Sequence, residues 1–204
     1  MIKTYAKYDL FSKFYDFFES FLEKRSFSKW RSLLFEMIPQ NAKVLEVGVG
    51  TGKNIPYYPD NVDVVGIDFS RGMLERAILR SKKYQNKRIK LMKMDVSNMN
   101  FPENAFDFVV ATFVFCTVPN PISGFKETRR VLKPNGKAIF LEHMRSDKWI
   151  NNVPLYMLNP VVKSLVGTSV IRKTKANILN SGFKILEEKN LFSDIVKLIV
   201  CEKN

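Results

Sequence analysis

The chain has few of the residues that do chemistry on their own. It contains two cysteines, Cys116 and Cys201, and a single histidine, His143, in 204 residues. Two cysteines cannot staple a small secreted scaffold, and one histidine cannot complete a Cys2His2-type site, so a structural zinc is excluded and no metal is expected. No segment has the length and apolarity of a bilayer span, which takes about 20 predominantly apolar residues. The N-terminus mixes acids, bases and aromatics, and it lacks the unbroken apolar core and small-residue cleavage site of a secretory signal. A cytoplasmic location is the expectation. Repeats and low-complexity tracts are absent too, and proline and glycine fall singly between periodic segments, as connectors do.

What is present fits one domain, 1–204. The residues are 46% hydrophobic and include 17 phenylalanines, enough to fill a core. The formal charge is +13, and the surplus is local: residues 71–93 carry 9 basic side chains and 1 acidic, and residues 145–175 carry 6 and 1. Such segments attract polyanions, either nucleic acid phosphates or the anionic face of a membrane, or they form a solvated helix face.

Short runs rich in β-branched and aromatic residues recur at 43–47, 62–67, 88–94, 106–112 and 137–143 and read as strands. Between them, Met73, Leu74, Ala77, Ile78 and Tyr84 fall near one helical face, and Ile122, Phe125, Val131 and Leu132 near another. This alternation predicts an α/β fold, a parallel sheet covered on both sides. Upstream, Leu10, Phe14, Phe17 and Phe21 predict a helix with a wide aromatic face, suited to packing, to capping a ligand or to facing a membrane. Downstream, a helix near 172–181 closed by Gly182 precedes two strands joined at Asn190.

The stretch 44–54, VLEVGVGTGKN, carries the chemistry. An apolar strand ends in Glu46, and Gly48, Gly50 and Gly52 let the backbone turn tightly and approach a ligand. A dinucleotide fingerprint would place its third glycine at position 53, which is Lys53, and no G-x-x-x-x-G-K-[ST] phosphate loop is present. Asp68 closes the second strand 20 residues after Gly48, where a carboxylate can accept hydrogen bonds from ribose hydroxyls.

The acid followed by three alternate glycines, E-x-G-x-G-x-G, resembles the loop of class I S-adenosylmethionine-dependent methyltransferases. The likeness continues in order through Asp68-Phe69-Ser70 with Met73-Leu74, through Asp95-Val96, through Phe106-Asp107 into Ala111 to Phe113, and through Leu132-Lys133-Pro134-Asn135-Gly136. The resemblance implies a doubly wound seven-stranded sheet in the order 3-2-1-4-5-7-6, last strand antiparallel, with helices on both faces. It divides the chain into an N-terminal helical cap (1–40), a cofactor-binding core (41–144), a substrate lid (145–170) and a C-terminal helix and hairpin (171–204). It also implies that Glu46, Gly48, Gly50 and Gly52 hold the methionine part of S-adenosyl-L-methionine, that Asp68 holds its ribose, and that Phe69, Met73, Asp95 and Val96 flank its adenine. Ala111 and Phe113 would face the sulfonium, and Tyr15 would close over the cofactor. Within the superfamily the chain is similar to the quinone-biosynthesis branch, and more so to phospholipid N-methyltransferases and membrane-associated thiol methyltransferases, through VLEVGVGTGKNIPYYP, FVFCTVPNP and FLEHMRS.

Methyl transfer is an in-line displacement that asks mainly for alignment, but a proton must leave an ammonium or thiol acceptor. His143, at the end of the fifth strand, is the candidate catalytic base, with Glu142 beside it. The 145–175 segment is too long for an ordinary strand-to-helix connection, and it combines Trp149, Leu155, Tyr156, Met157 and Leu158 with its basic surplus. That mixture suits a lipophilic small molecule or lipid head group, a phosphatidylethanolamine-type amine being favoured, taken from an anionic membrane at its inner face. The alternatives are methylation of RNA through the two basic segments, or of a small thiol or quinone precursor.

Overall fold

The computed structural model describes residues 26–84, 87–166 and 171–203. The aromatic segment at 10–21, Tyr15 included, lies outside the described residues. Helix α1, Ser28–Phe35, leads into strand β1, Lys43–Val47, and a short 3-10 turn, Ile55–Tyr57, precedes β2, Asp63–Asp68. Helix α2, Arg71–Ser81, β3, Arg88–Lys93, β4, Phe106–Thr112, and α3, Pro121–Val131, follow. The chain continues through β5, Leu132–His143, α4, Trp149–Val166, α5, Thr174–Asn180, β6, Phe183–Phe192, and β7, Val196–Lys203. The seven strands form one sheet in the order β3-β2-β1-β4-β5-β7-β6, parallel throughout except for β7, which is antiparallel to β5 and β6. This is the topology expected of the methyltransferase Rossmann-like fold.

Local chemistry sets the helix starts. The Ser70 hydroxyl accepts from the Met73 N–H at 3.2 Å and so caps α2. Pro121 begins α3, where its missing N–H costs nothing, and Asn120 accepts from the Ser123 N–H at 3.2 Å. In β1 only Lys43 is exposed, as a strand covered on both faces requires. One face buries Leu45, Val47, Phe106, Phe125 and Phe140, with Phe115 stacked on Phe125 at 3.7 Å between ring centres. On the other face, Leu34 and Phe35 of α1 pack with Val44, Val110 and Leu141 of the sheet.

Two details differ from the sequence reading. The C-terminal hairpin turns at 193–195 and not at Asn190, because β6 runs on through Phe192 past register shifts at Ile185/Glu187 and Asn190/Phe192. Part of the basic surplus at 71–93 lies on an edge strand: Arg88, Lys90 and Lys93 are exposed on β3, where charge discourages pairing with another sheet. Among the described residues no helix is long and apolar enough to cross a membrane.

Candidate active site

In a parallel sheet the carboxyl ends of the strands share one edge, and a crevice opens where the strand order reverses, here between β1 and β4. A cavity of about 390 Å³ occupies that crevice. Its walls include Glu46, Gly48, Gly50, Asp68, Phe69, Met73, Asp95, Val96, Phe113 and His143, so the structure gathers most of the sequence-expected site residues into one place. Gly52 and Ala111 stand behind the wall. A Cβ on Gly52 would meet Ile55 Cδ1 at 2.6 Å and Ala77 Cα at 3.1 Å, so this glycine lets the loop close on α2. Ala111 is fully buried in the core; strand side chains alternate, and the neighbouring Thr112 faces the cavity in its place.

The glycine loop is shaped by close approach. Gly48, at φ 67°, packs so tightly that an added Cβ would lie 2.5 Å from a Val114 methyl. Gly50, at φ 56°, has only the Gly48 carbonyl oxygen, at 4.0 Å, near its Cβ position, so the space above it is open to a ligand. Asp68 ties this loop to the start of α2: one oxygen accepts from the Gly50 N–H and the other from the Ser70 N–H, both at 2.8 Å. Further along, Asp95 holds its own turn by accepting from the Ser97 N–H at 2.8 Å.

Glu46 is the centre of a buried network that the sequence reading missed in part. Its carboxylate accepts from the Tyr58 hydroxyl and, at 2.9 Å, from Asn54 Nδ2. The same Asn54 nitrogen donates to Thr112 Oγ1 at 2.9 Å, and Asn54 Oδ1 accepts from the Arg31 guanidinium. Burial pushes the Glu46 carboxyl up to about 7, although Tyr58, Asn54 and Arg31 all pull it down. Arg31 lines the cavity while only 4% exposed, a cation kept beside the glycine loop. The sequence signal for it was weak, one arginine after a tryptophan in the segment before β1.

The opposite end of the cavity is aromatic and apolar. Phe27 lies 5.0 Å from Phe113 and Phe113 6.1 Å from His143, ring centre to ring centre, and Val196 completes the wall. Phe113 sits at φ 57°, a left-handed conformation uncommon for a bulky residue and often found at functional sites. Burial pushes His143 down to about 4, so its imidazole is neutral at physiological pH. Glu142, the residue before it, is fully buried; Oε1 accepts from the N–H groups of Val114 at 2.7 Å and Phe115 at 2.9 Å. Burial lifts this carboxyl to about 7 as well.

Both ends of the 145–175 segment meet at the cavity rim. The Arg145 N–H donates to the Arg172 carbonyl at 3.0 Å, and the Arg172 guanidinium donates to the Cys116 and Val118 carbonyls at 3.3 and 3.1 Å. The start of α4 is clasped by Asp194, which accepts from the Ser146 hydroxyl and, at 2.9 Å, from the Asp147 N–H.

The comparisons agree with this geometry. Residues 45–140 match the family model described as "Methyltransferase domain". A phosphatidylethanolamine N-methyltransferase of Cereibacter sphaeroides is 40% identical over 110 residues, 53% of this chain and 54% of that protein. A demethylmenaquinone methyltransferase of Bacillus licheniformis is 30% identical over 146 residues, 69% and 62% of the two chains. A thiol S-methyltransferase of Mus musculus is 28% identical over 143 residues, 64% and 58%. The chain thus spans 54–62% of the length of these curated relatives. Among solved structures, geranyl diphosphate C-methyltransferase from Streptomyces coelicolor, crystallised with S-adenosyl-L-homocysteine, superposes with a TM-score of 0.73 at 10% identity, covering 87% of this chain and 79% of that one. Fold and motif agree on a class: residues 45–140 match the methyltransferase-domain model, and they lie in a sheet with the strand order of that fold.

Proposed function

We propose that the protein transfers a methyl group from S-adenosylmethionine to a lipophilic small molecule or lipid head group, an amine of the phosphatidylethanolamine type being the favoured acceptor. The observation that carries this reading is the two-ended cavity, hydrogen-bonding and charged around Arg31, Glu46 and Asp68, aromatic around Phe27, Phe113 and His143. The open space over Gly50 fits the donor, because a backbone without side chains is what an amino-acid moiety needs for close approach. Arg31 would meet the carboxylate of the methionine part, and Asp68, which lines the cavity, would accept from ribose hydroxyls. Phe69, Met73 and Val96 would enclose the base. When bound, the donor supplies an electrophilic methyl group on a sulfonium.

The chain's own contribution is alignment and charge management. Phe27 and Phe113 present ring faces that favour a cationic or apolar acceptor and exclude water. A neutral His143 keeps positive charge away from the sulfonium and leaves a nitrogen lone pair for the acceptor; as a weak base it orients the acceptor by hydrogen bonding more than it takes a proton. Attachment at a membrane is part of the same proposal. Helix α4 exposes Trp149 at 77% and Met157 at 75%, in the same segment as the basic Arg145 and Lys148. Apolar side chains ringed by cations suit an anionic lipid surface.

The test is radiolabelled methyl transfer from S-adenosylmethionine to lipid extract, quinone precursors, small thiols and RNA, run beside flotation on anionic and neutral vesicles. Label in a lipid amine with flotation on anionic vesicles is the expected result. Label confined to RNA or a soluble thiol, with no flotation, would overturn the lipid reading and leave the methyltransferase assignment in place.

A further inference from the structure

We propose that Cys116, Glu142 and His143 form a binding site for one divalent ion of the zinc type at the acceptor end of the cavity. One ligand atom from each residue, a sulfur, a carboxylate oxygen and an imidazole nitrogen, lies within 4.8 Å of the other two. Cys116 is distant in sequence from the adjacent pair Glu142 and His143, and the sheet brings it to them: the pair ends β5, and Cys116 follows the neighbouring β4.

The second observation is the state of Glu142. Its side chain is fully buried; Oε1 takes the Val114 and Phe115 N–H groups, the Cys116 N–H also faces the carboxyl, and Oε2 makes no hydrogen bond of its own. A buried carboxylate oxygen without a donor is costly unless something else meets it. Here the other two ligand atoms lie within 4.8 Å, near enough for small side-chain rotations to bring all three onto one ion. Tetrahedral zinc with bonds of about 2.0–2.3 Å sets its ligand atoms between 3 and 4 Å apart, about 1 Å inside the limit seen here.

The donor set narrows the ion. Thiolate, imidazole and carboxylate together favour zinc and its borderline neighbours over magnesium or calcium, which prefer oxygen alone. Three protein ligands leave one position, and Cys116 and His143 both line the cavity, so that position opens into it. Outer support for the carboxylate is in place, since the Val114 and Phe115 N–H groups fix Glu142 through Oε1 and leave Oε2 for the ion; the Cys116 S–H, which donates to the Phe113 carbonyl at 3.4 Å, gives up that bond with its proton on binding. An ion held on the imidazole and the base role given to His143 exclude each other at one nitrogen. Loading the ion is therefore expected to slow methyl transfer, an outcome that rests on the function proposed above; the binding itself does not.

Cobalt(II) serves as the probe, because a thiolate bound to it absorbs characteristically in the near ultraviolet. Full-length protein cleared of metal with a chelator is expected to take one equivalent of Co2+ with a thiolate band, and to lose the band when Zn2+ is added. Cys116→Ser should abolish the band, and His143→Gln and Glu142→Gln should each weaken binding by at least about tenfold. A band unchanged in His143→Gln would mean that the sulfur binds cobalt alone, and would overturn the site. A second measurement needs no variant: Zn2+ should slow alkylation of Cys116 by iodoacetamide in the unmodified protein, and equal rates with and without zinc would overturn the proposal. Affinity for S-adenosylhomocysteine, measured on the same sample, separates the two claims. Protein that binds this nucleoside but takes no cobalt refutes the metal site alone.

Discussion

Two glutamates end neighbouring parts of the sheet and are treated differently. Glu46 on β1 and Glu142 on β5 are both buried and both lifted to about 7 by that burial. Around Glu46 the partners are side chains, Tyr58 and Asn54, and both oxygens are engaged. Around Glu142 the partners are backbone N–H groups of the loop after β4, and one oxygen is left over. A carboxylate satisfied by side chains is a finished part of the cavity wall. One that anchors a loop and keeps an oxygen in hand is the kind of group the proposed ion would use. The two ends are joined at one contact, since Val114, whose N–H is held by Glu142, is the residue against which Gly48 packs.

The harshest way to break this comparison is at that contact. Gly48→Val combines a left-handed backbone with a side chain that overlaps Val114, and a destabilisation of about 3–5 kcal/mol is expected from the two together. Gly50→Ala shares the backbone problem but meets open space, so about 1–2 kcal/mol is expected. Urea unfolding of both proteins measures the difference; equal losses would show that the Val114 contact does not matter. Next in size is Arg31→Met, which keeps the volume and removes the buried cation. Affinity for S-adenosylhomocysteine in calorimetry should fall by about 10- to 100-fold, the worth of a charged hydrogen bond. Unchanged affinity would assign Arg31 to holding Asn54 alone.

The strand–helix alternation and the glycine loop were legible in the sequence because both depend on short-range signals, while the sheet order came from the family resemblance. Strand runs, the spaced glycines and a strand-end acid each sit within a few residues of one another, and parallel topology then brings them to one edge. Arg31, Asn54 and Tyr58 were not legible, because nothing local distinguishes a buried arginine before β1 from a surface one. Their meaning comes from converging on Glu46 across 23 residues of separation between Arg31 and Asn54. Ala111 was misplaced by one position for a related reason: the resemblance points to a strand end, but only the pleat decides which of two adjacent side chains faces the cavity. The Cys116, Glu142 and His143 cluster was invisible because adjacent strand residues are expected to point apart, and the end of β5 escapes that rule.

The pH dependence of stability sharpens the comparison further. A carboxyl raised from 4.5 to about 7 holds its proton longer when folded, so its contribution is full below about pH 4.5 and is lost as pH rises through about 7. His143, lowered from 6.5 to about 4, acts the other way: its contribution is present above 6.5 and lost as pH falls through about 4. With two carboxyls against one imidazole, these groups together lower stability by about 1.4 kcal/mol per pH unit between about pH 5 and pH 6.5. Glu46→Gln should remove one carboxyl's share of that slope. Unfolding midpoints of the two proteins across this range measure it, and parallel slopes would mean that Glu46 is ionised throughout.

The smallest effect on the fold is expected from Trp149→Ser. The indole is 77% exposed at the start of α4, so its loss should change unfolding free energy by less than about 0.5 kcal/mol. The cofactor end lies beyond its reach, and affinity for S-adenosylhomocysteine should not move. Retention on anionic vesicles is the quantity that should fall, by several-fold, because an interfacial tryptophan contributes through buried apolar area. If retention holds while the variant folds and binds the nucleoside normally, α4 covers the acceptor without touching lipid, and the basic segment at 71–93 becomes the surface to test by the same flotation.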